Sequence, residues 1–480
     1  MQGEGLSEAA WESLIDKPTS ISDVFEAVSS EDVEALLLSS LPVVQDFLRK
    51  AVAVLDAPFT AADPSVLGGR KLNALRYLTR IVPVVHRHKE LQVQALFWGP
   101  DDFLAPAILQ SILNSAFMKG FGLTLESEED PETPQVLWYP GLGATSPGAC
   151  YGVEENQGEI LRCLLACTCS TVYSSASEVE PNSWLSLLVH PGLPHTSNLV
   201  FSLLNAVINY RPDGVMSLLN FTLMSQEVVT MSAQLLAVML HYTEERGEQR
   251  VSEALGRMQV EAGALSANVA LDIVRRLRSE ADFCMLLEAL TRLLSRRRDL
   301  GIEEEVLLLT WLLLCHSPAF THSATRQPQC RELLVHLLAL MWPAEEQAGP
   351  LQVAAFILLL LSSQRAFCLH FSCNTLNTDL GISLPKGVIS LFDVLIVLTQ
   401  RLSLVKSHVP LVPVLLSVLS NANYFVKSIG PLASADLVSM LKAFSAARTL
   451  WGDPISLQIV RSLVEIVSSR LQYYWAVGAM

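Results

Sequence analysis

The sequence predicts an all-α protein, an irregular α-solenoid built from helical hairpins of the armadillo or HEAT kind. Three observations lead there. From end to end, apolar residues recur at spacings of three and four and are interrupted by short polar breaks containing Pro, Gly, Ser or Asn, the mark of helix following helix. No stretch of period-two alternation is long enough to build a sheet. Of 480 residues, half are hydrophobic and 17% are charged, against about a quarter charged in an average soluble chain. A large apolar area must therefore be buried, which excludes disorder as a global description. Many helices without strands, in a chain this long, bury their faces by stacking side by side. No fixed repeat period stands out, and a compact multi-helix domain is the alternative.

The elements follow in order. Residues 1–123 form an N-terminal helical region, 124–150 a loop region and 151–480 a helical array. Met1 to Ala10 contains no Lys or Arg and no apolar core, so it is expected to be neither a secretory signal nor an Arg-rich transit peptide. Leu125 to Pro134 (LESEEDPETP) crowds acids with two prolines and lacks apolar periodicity, which reads as an exposed, mobile loop. Asn156-Gln157-Gly158-Glu159 reads as a capping box opening the helix through Cys167: the amide would accept from the first turn and the carboxylate would reach back. Leu271 to Leu294 places Ile273, Val274, Leu277, Phe283, Leu286, Leu287, Leu290 and Leu294 on one stripe of a helix, with the arginines mostly opposite. Val306 to Cys315 (VLLLTWLLLC) and Val353 to Leu361 (VAAFILLLL) are the longest apolar runs. Both are about half the roughly 20 residues that a membrane-spanning helix needs, so they read as buried core helices.

The chemistry-bearing residues point away from catalysis. No G-x-S-x-G, G-x-x-x-x-G-K-[ST] or G-x-G-x-x-G is present, and Gly141-Leu142-Gly143 is expected to be a turn. Nine cysteines scattered through the chain are not a disulfide framework and read as reduced thiols of a cytosolic protein. Cys163 and Cys167 fall on one helix face near Cys169, but zinc wants four ligands and the next histidines, His190 and His195, lie beyond a polar break. They read as small buried hydrophobes. His86 and His88, at the end of an apolar stretch, read as solvated residues complementing a helix C-terminus. No cofactor, metal or small-molecule substrate is implied, and an enzyme is unsupported.

Charge narrows the partners. With 33 Lys+Arg against 48 Asp+Glu the net charge is −15, which argues against neutralising the phosphates of a nucleic acid. The one basic anomaly is Arg275, Arg276 and Arg278, followed by Arg292, Arg296, Arg297 and Arg298. On neighbouring turns of one hairpin they would meet anionic lipid headgroups, each contributing about 1 kcal/mol. The simpler expectation is a solvated helix face paired with Glu280, Asp282 and Glu288.

The order of motifs resembles one family. It runs through Trp11 with Ser22-Asp23-Val24-Phe25, LRYLTRIVP at Leu75–Pro83, Phe97-Trp98, VLWYPGLG at Val136–Gly143, Asn156 with Glu159, and Asn182 with Trp184. It continues with SLLNAVINYRPDG at Ser202–Gly214, EADFCMLLEALTRLL at Glu280–Leu294, AFILLLLSSQRAF at Ala355–Phe367, YFVKSIG at Tyr424–Gly430 and LVSMLKAFS at Leu437–Ser445. In this order the motifs resemble the high-temperature-induced dauer-formation proteins, relatives of dymeclin. The resemblance implies a cytosolic scaffold without catalytic residues, held peripherally on Golgi membranes and needed for sorting and maturation of secretory or dense-core vesicles. Its expected partners are proteins of the trafficking machinery and, weakly, the membrane. Animal members begin with a myristoylated glycine directly after Met; here Gln2 stands there and Gly3 is one place late, so that anchor does not carry over. Longer members continue beyond the position of Met480 through a polar linker into a further helical segment.

Overall fold

The computed structural model describes residues 14–16, 20–58, 64–88, 96–99, 104–124, 137–143, 152–173, 182–211, 225–242, 268–296, 301–342, 348–373, 381–452 and 454–474. Helices and their connecting turns make up these residues, and no strand occurs among them; one isolated bridge joins Lys119 and Leu123. The all-α expectation therefore holds. The chain divides into two compact units, Met1–Ile273 and Val274–Met480.

In the first unit, α1 (Ile21–Ala27) and α2 (Ser30–Ser39) each open on a reciprocal capping box, Ser20 with Asp23 and Ser29 with Asp32. Such a box satisfies two of the N–H groups that a helix start leaves unpaired. Then follow α3 (Leu41–Asp56), α4 (Pro64–Arg87), α5 (Leu104–Ala116), α6 (Glu154–Thr168), α7 (Ser183–Leu188), α8 (Thr196–Asn209) and α9 (Gln226–His241). Helices α4, α6 and α9 pack in succession; α3 pairs with α4 and α5, and α8 pairs with α9. The apolar spacing explains this packing. In α4, Leu75, Leu78, Ile81, Val82 and Val85 form a buried stripe, and α8 buries Leu199, Val200, Leu203, Leu204 and Val207.

Helix α10 (Val269–Arg276) crosses the division between the units. The second unit holds α11 (Glu280–Ser295), α12 (Glu303–His316), α13 (Pro318–Ala324), α14 (Gln329–Met341), α15 (Ala348–Ser362), α16 (Arg365–Cys368), α17 (Leu391–Ser403), α18 (Val412–Asn423), α19 (Pro431–Ser445) and α20 (Pro454–Tyr474). Contacts run along two layers. One is α12, α15, α18, α20; the other is α11, α14, α17, α19; and α11/α12, α14/α15, α17/α18 and α19/α20 join them as hairpins. This is the stacked-hairpin pattern of an α-solenoid.

Two expectations of local structure change. The stripe from Leu271 to Leu294 is two helices, because Ser279 caps α11 by accepting from the Asp282 N–H and ends α10 before it. Its apolar side still faces inward: Val274, Phe283, Leu286, Leu287, Leu290 and Leu294 are buried. Both long apolar runs are core helices, α12 with three glutamates at its start and α15 beside it. Among the described residues no single helix is long and apolar enough to cross a membrane, and each run turns by 109° into the short helix after it. The acidic stretch Leu125 to Pro134 lies outside the described residues.

Candidate functional site

The densest polar constellation sits in the first unit, where α4, α6 and α9 meet. Glu159 is 2% exposed and Arg76 8%. A buried carboxylate costs several kcal/mol unless paired, and here both oxygens are used. The Arg76 Nε–H donates to Oε1 at 3.3 Å, and Arg162 Nη1 lies 2.9 Å from Oε2. Arg76 also reaches Glu155 at 3.0 Å, and Arg162 donates to Glu227 of α9. Burial works against the Arg162 charge, but Glu159 and Glu227 beside it outweigh that effect and push its pKa up. Three helices are thus laced by alternating charges.

Residues 137–143 form a strap over the adjoining helices. The Trp138 indole N–H donates to the Ala116 carbonyl at the end of α5 (2.9 Å), and its backbone N–H to Ser202 Oγ of α8 (3.2 Å). The Tyr139 hydroxyl donates to Gln157 Oε1 at 2.8 Å. The Asn205 side chain is saturated: Oδ1 accepts from the Leu142 N–H at 2.7 Å, and Nδ2 donates to the Tyr139 and Leu142 carbonyls, each at 3.0 Å. A Cβ at Gly141 would lie 2.5 Å from that Oδ1, with φ at +140°, so glycine is required there. Gly141 to Gly143 is a turn, as expected.

The expected capping box at Asn156 is not formed. Helix α6 begins at Glu154 with Val153 as its cap and no side-chain cap bond. Asn156 and Gln157, already inside the helix, instead donate to the carbonyls of Phe121 (2.9 Å) and Gly122 (3.1 Å). The motif residues are tertiary anchors.

His86 also departs from expectation. It lies in the last turn of α4 but is buried, with its Nε2–H donating to the Cys167 carbonyl at 3.0 Å and its ring edge-on to Trp184. Burial lowers its pKa to about 4 against the opposing pull of that bond, so the ring is neutral rather than a solvated cation. Trp184 further meets Phe97 and Trp98, with ring centroids 5.1 and 6.0 Å away. Asn182 caps α7 through the Leu185 N–H and donates to the Thr168 carbonyl at 2.7 Å. Lys71, wholly buried, donates to the carbonyls of Val54 and Leu55 at the end of α3; burial brings its pKa down to about 8 although Asp56 opposes it.

The second unit has its own clamp. The Asp393 carboxylate, fully buried, accepts from the N–H groups of Ile389 (2.9 Å), Ser390 (3.3 Å) and Gly430 (3.1 Å). It thereby ties the starts of α17 and α19. A Cβ on Gly430 would stand 2.3 Å from the Gly387 carbonyl oxygen. Asn423 of α18 donates to the Ile466 carbonyl of α20 at 3.2 Å and accepts from the Arg470 Nε–H at 2.6 Å, and that guanidinium lies over the Phe392 ring.

Sequence-predicted residues outside these joints fall as follows. Arg275, Arg276 and Arg278 are exposed at the end of α10 and just beyond it, with Arg278 donating to the Arg275 and Leu277 carbonyls. Arg292 is half-buried 3.6 Å from Glu288, Arg296 caps α11, and Arg297 and Arg298 lie outside the described residues. The two groups occupy opposite ends of α11, a helix of 16 residues and so about 24 Å long, rather than neighbouring turns. Cys163 and Cys167 are buried, and Cys169 is half-buried; the Cys163 hydrogen bond and burial push the Cys167 thiol well up. Among the described residues no three His, Cys, Asp or Glu side chains gather at metal-binding distance.

Sequence reading missed Arg76, Asn205 and Asp393 as anchors. Each carried a signal, a polar residue inside an apolar helical run, because such a residue needs a buried partner. Chemically these groups hold helices together; each hydrogen bond described above ends on protein.

A profile of the high-temperature-induced dauer-formation protein family matches residues 4–480. The human and mouse proteins named Protein HID1 are 25% and 24% identical to the chain, each alignment covering 98% of this chain and 66% of the relative. The chain thus spans just under two thirds of their length. The Ubp5-interacting protein ftp105 of Schizosaccharomyces pombe is 25% identical over 76% of this chain and 42% of its own.

Proposed function

Because the chain belongs to the high-temperature-induced dauer-formation protein family, we propose that it is a non-enzymatic scaffold on the cytosolic face of Golgi membranes. It acts there in the sorting and maturation of secretory and dense-core vesicles, through contacts with proteins of the trafficking machinery. The observation that carries this reading is the use of the buried ionisable groups. Glu159, Arg76, Lys71, His86 and Asp393 each bond to another part of the same unit, which leaves the outer faces of stacked hairpins for work. Stacked helical hairpins commonly bind partners through such extended surfaces. The fission-yeast relative, named for its interaction with Ubp5, favours protein contact as the mode of action.

Weak contact with anionic lipid is part of the proposal. Arg275, Arg276 and Arg278 form one exposed footing and Arg296 another, each basic side chain adding about 1 kcal/mol near a charged bilayer. The decisive test is the tagged chain imaged in cells against a Golgi marker: coincidence supports the reading, and a diffuse cytosolic signal replaces it with a soluble helical adaptor. Flotation with anionic and neutral liposomes tests the lipid contact. Binding that ignores headgroup charge and survives replacement of Arg275, Arg276, Arg278 and Arg296 by Glu would remove it.

A further inference from the structure

Between α10 and α11 the chain leaves the helical conformation for three residues, Leu277, Arg278 and Ser279. Ser279 is exposed on extended backbone (φ −73°, ψ 126°), and Arg275, Arg276 and Arg278, all exposed, stand four, three and one places before it. Serine kinases with an acidic substrate cleft select their targets by such a charge pattern. Arginine stands three places before a serine or threonine at only two other positions of the sequence, Thr79 and Ser295. Both belong to helices. At Thr79 the arginine is Arg76, buried against Glu159, and the Thr79 hydroxyl donates to the Leu75 carbonyl at 2.8 Å. At Ser295 it is Arg292, half-buried beside Glu288, and the Ser295 hydroxyl donates to the Arg292 carbonyl at 2.7 Å. Ser279 alone of the three joins a non-helical backbone to exposed arginines.

From this juxtaposition we infer that Ser279 is a phosphorylation site for a basophilic serine kinase, and that the phosphate switches off the basic footing beside it. In the transfer, Ser279 Oγ bonds to the γ-phosphorus of MgATP, the bond from that phosphorus to the β-phosphate oxygen breaks, ADP leaves, and the hydroxyl proton passes to the catalytic Asp of the kinase. Little in the fold opposes this. Ser279 Oγ accepts from the Asp282 N–H at 3.4 Å, a long bond whose loss costs little. Arg275 and Arg276 end a helix of eight residues, and helix ends open more readily than any other part, which lets them enter an extended cleft. The consequence is electrostatic. From Arg275 to Asp282 three arginines are set against Glu280 and Asp282, one net positive charge. A phosphate adds about two negative charges near neutral pH, so the sign reverses and the segment repels the anionic bilayer that the arginines would meet. This second half rests on the lipid contact proposed above.

The test incubates the full chain with MgATP and, in turn, the cyclic-AMP-dependent and calmodulin-dependent serine kinases, and maps phosphate by peptide mass. Ser279 should carry it, and Arg276→Ala, at an exposed position and with an unchanged thermal melt, should slow its entry about tenfold or more. No phosphate at Ser279 with either kinase, or an equal rate in Arg276→Ala, overturns the site. Flotation with anionic liposomes reads the second half. The phosphorylated chain should float several-fold less than the unmodified chain, and Ser279→Ala carried through the same incubation should float like the unmodified chain. Equal flotation of the phosphorylated chain overturns the switch and leaves the lipid contact standing. An unmodified chain that does not float overturns the lipid contact and the switch together, and leaves the phosphorylation site standing.

Discussion

Arg76 and Glu159 stand 83 residues apart in the sequence and 3.3 Å apart in the fold, both almost wholly removed from water. Removing one partner of such a pair leaves an uncompensated buried charge and costs about 3–5 kcal/mol, whereas replacing both by apolar residues is often neutral. Arg76→Met or Glu159→Gln should therefore lower the urea midpoint sharply. The double replacement Arg76→Met with Glu159→Leu should recover much of the loss. A double-mutant cycle measures this, and additive effects would show that the two side chains do not act as a pair.

His86 makes stability depend on acid. Its folded pKa, about 4, lies below the ordinary value of 6.5, so between these limits the unfolded chain binds a proton that the folded chain refuses. Its contribution is fully present above pH 6.5 and is lost as pH falls towards 4, in all about 3 kcal/mol. His86→Gln keeps a donor for the Cys167 carbonyl but cannot titrate, so its thermal midpoint should fall less steeply than the parent's across that window. Parallel curves would count against the assignment.

Two glycines should respond with opposite sign. At Gly430 a methyl would strike the Gly387 carbonyl and the Asp393 carboxylate. Gly430→Ala should thus cost about 2 kcal/mol or more, by overpacking and by weakening a buried hydrogen bond. At Gly69, inside α4, a methyl meets nothing within 4 Å. Gly69→Ala should stabilise by about 0.5–1 kcal/mol through the lost backbone freedom of the unfolded chain. Chemical denaturation of both variants decides.

Thiol labelling should follow burial. Cys315 is exposed, whereas Cys163, Cys167 and Cys330 are buried, and burial pushes the Cys330 thiol up to about 12. Iodoacetamide should modify Cys315 in the native chain and reach Cys163, Cys167 and Cys330, like the buried Cys368, only on unfolding. Peptide mass mapping with time reads the order directly.

What was legible in the sequence follows the range of the interaction that decides it. Helical class is set by spacing within one or two turns, so Val306–Cys315 and Val353–Leu361 were read correctly as core helices. The strap was not legible as such, because Trp138 and Leu142 bond to Ser202 and Asn205, more than 60 residues away, and local periodicity carries no trace of such a partner. Asn156 misled for a related reason: its spacing to Glu159 satisfies a capping rule, but both side chains are claimed by neighbours from other parts of the chain. His86 was misplaced because a helix end looks exposed in sequence, whereas here the end of α4 is covered by Trp184. Ser279 carried its cap signal openly, and the unbroken stripe on either side of it obscured the break.

The ladder of hairpins in the second unit has a mechanical side. Each rung leans on the rung before and the rung after, so resistance to pulling is stored locally and has no single keystone. Drawn out from the α20 end, such a chain should yield in a series of small releases, one hairpin at a time, and recoil in the reverse order when the tension is lifted.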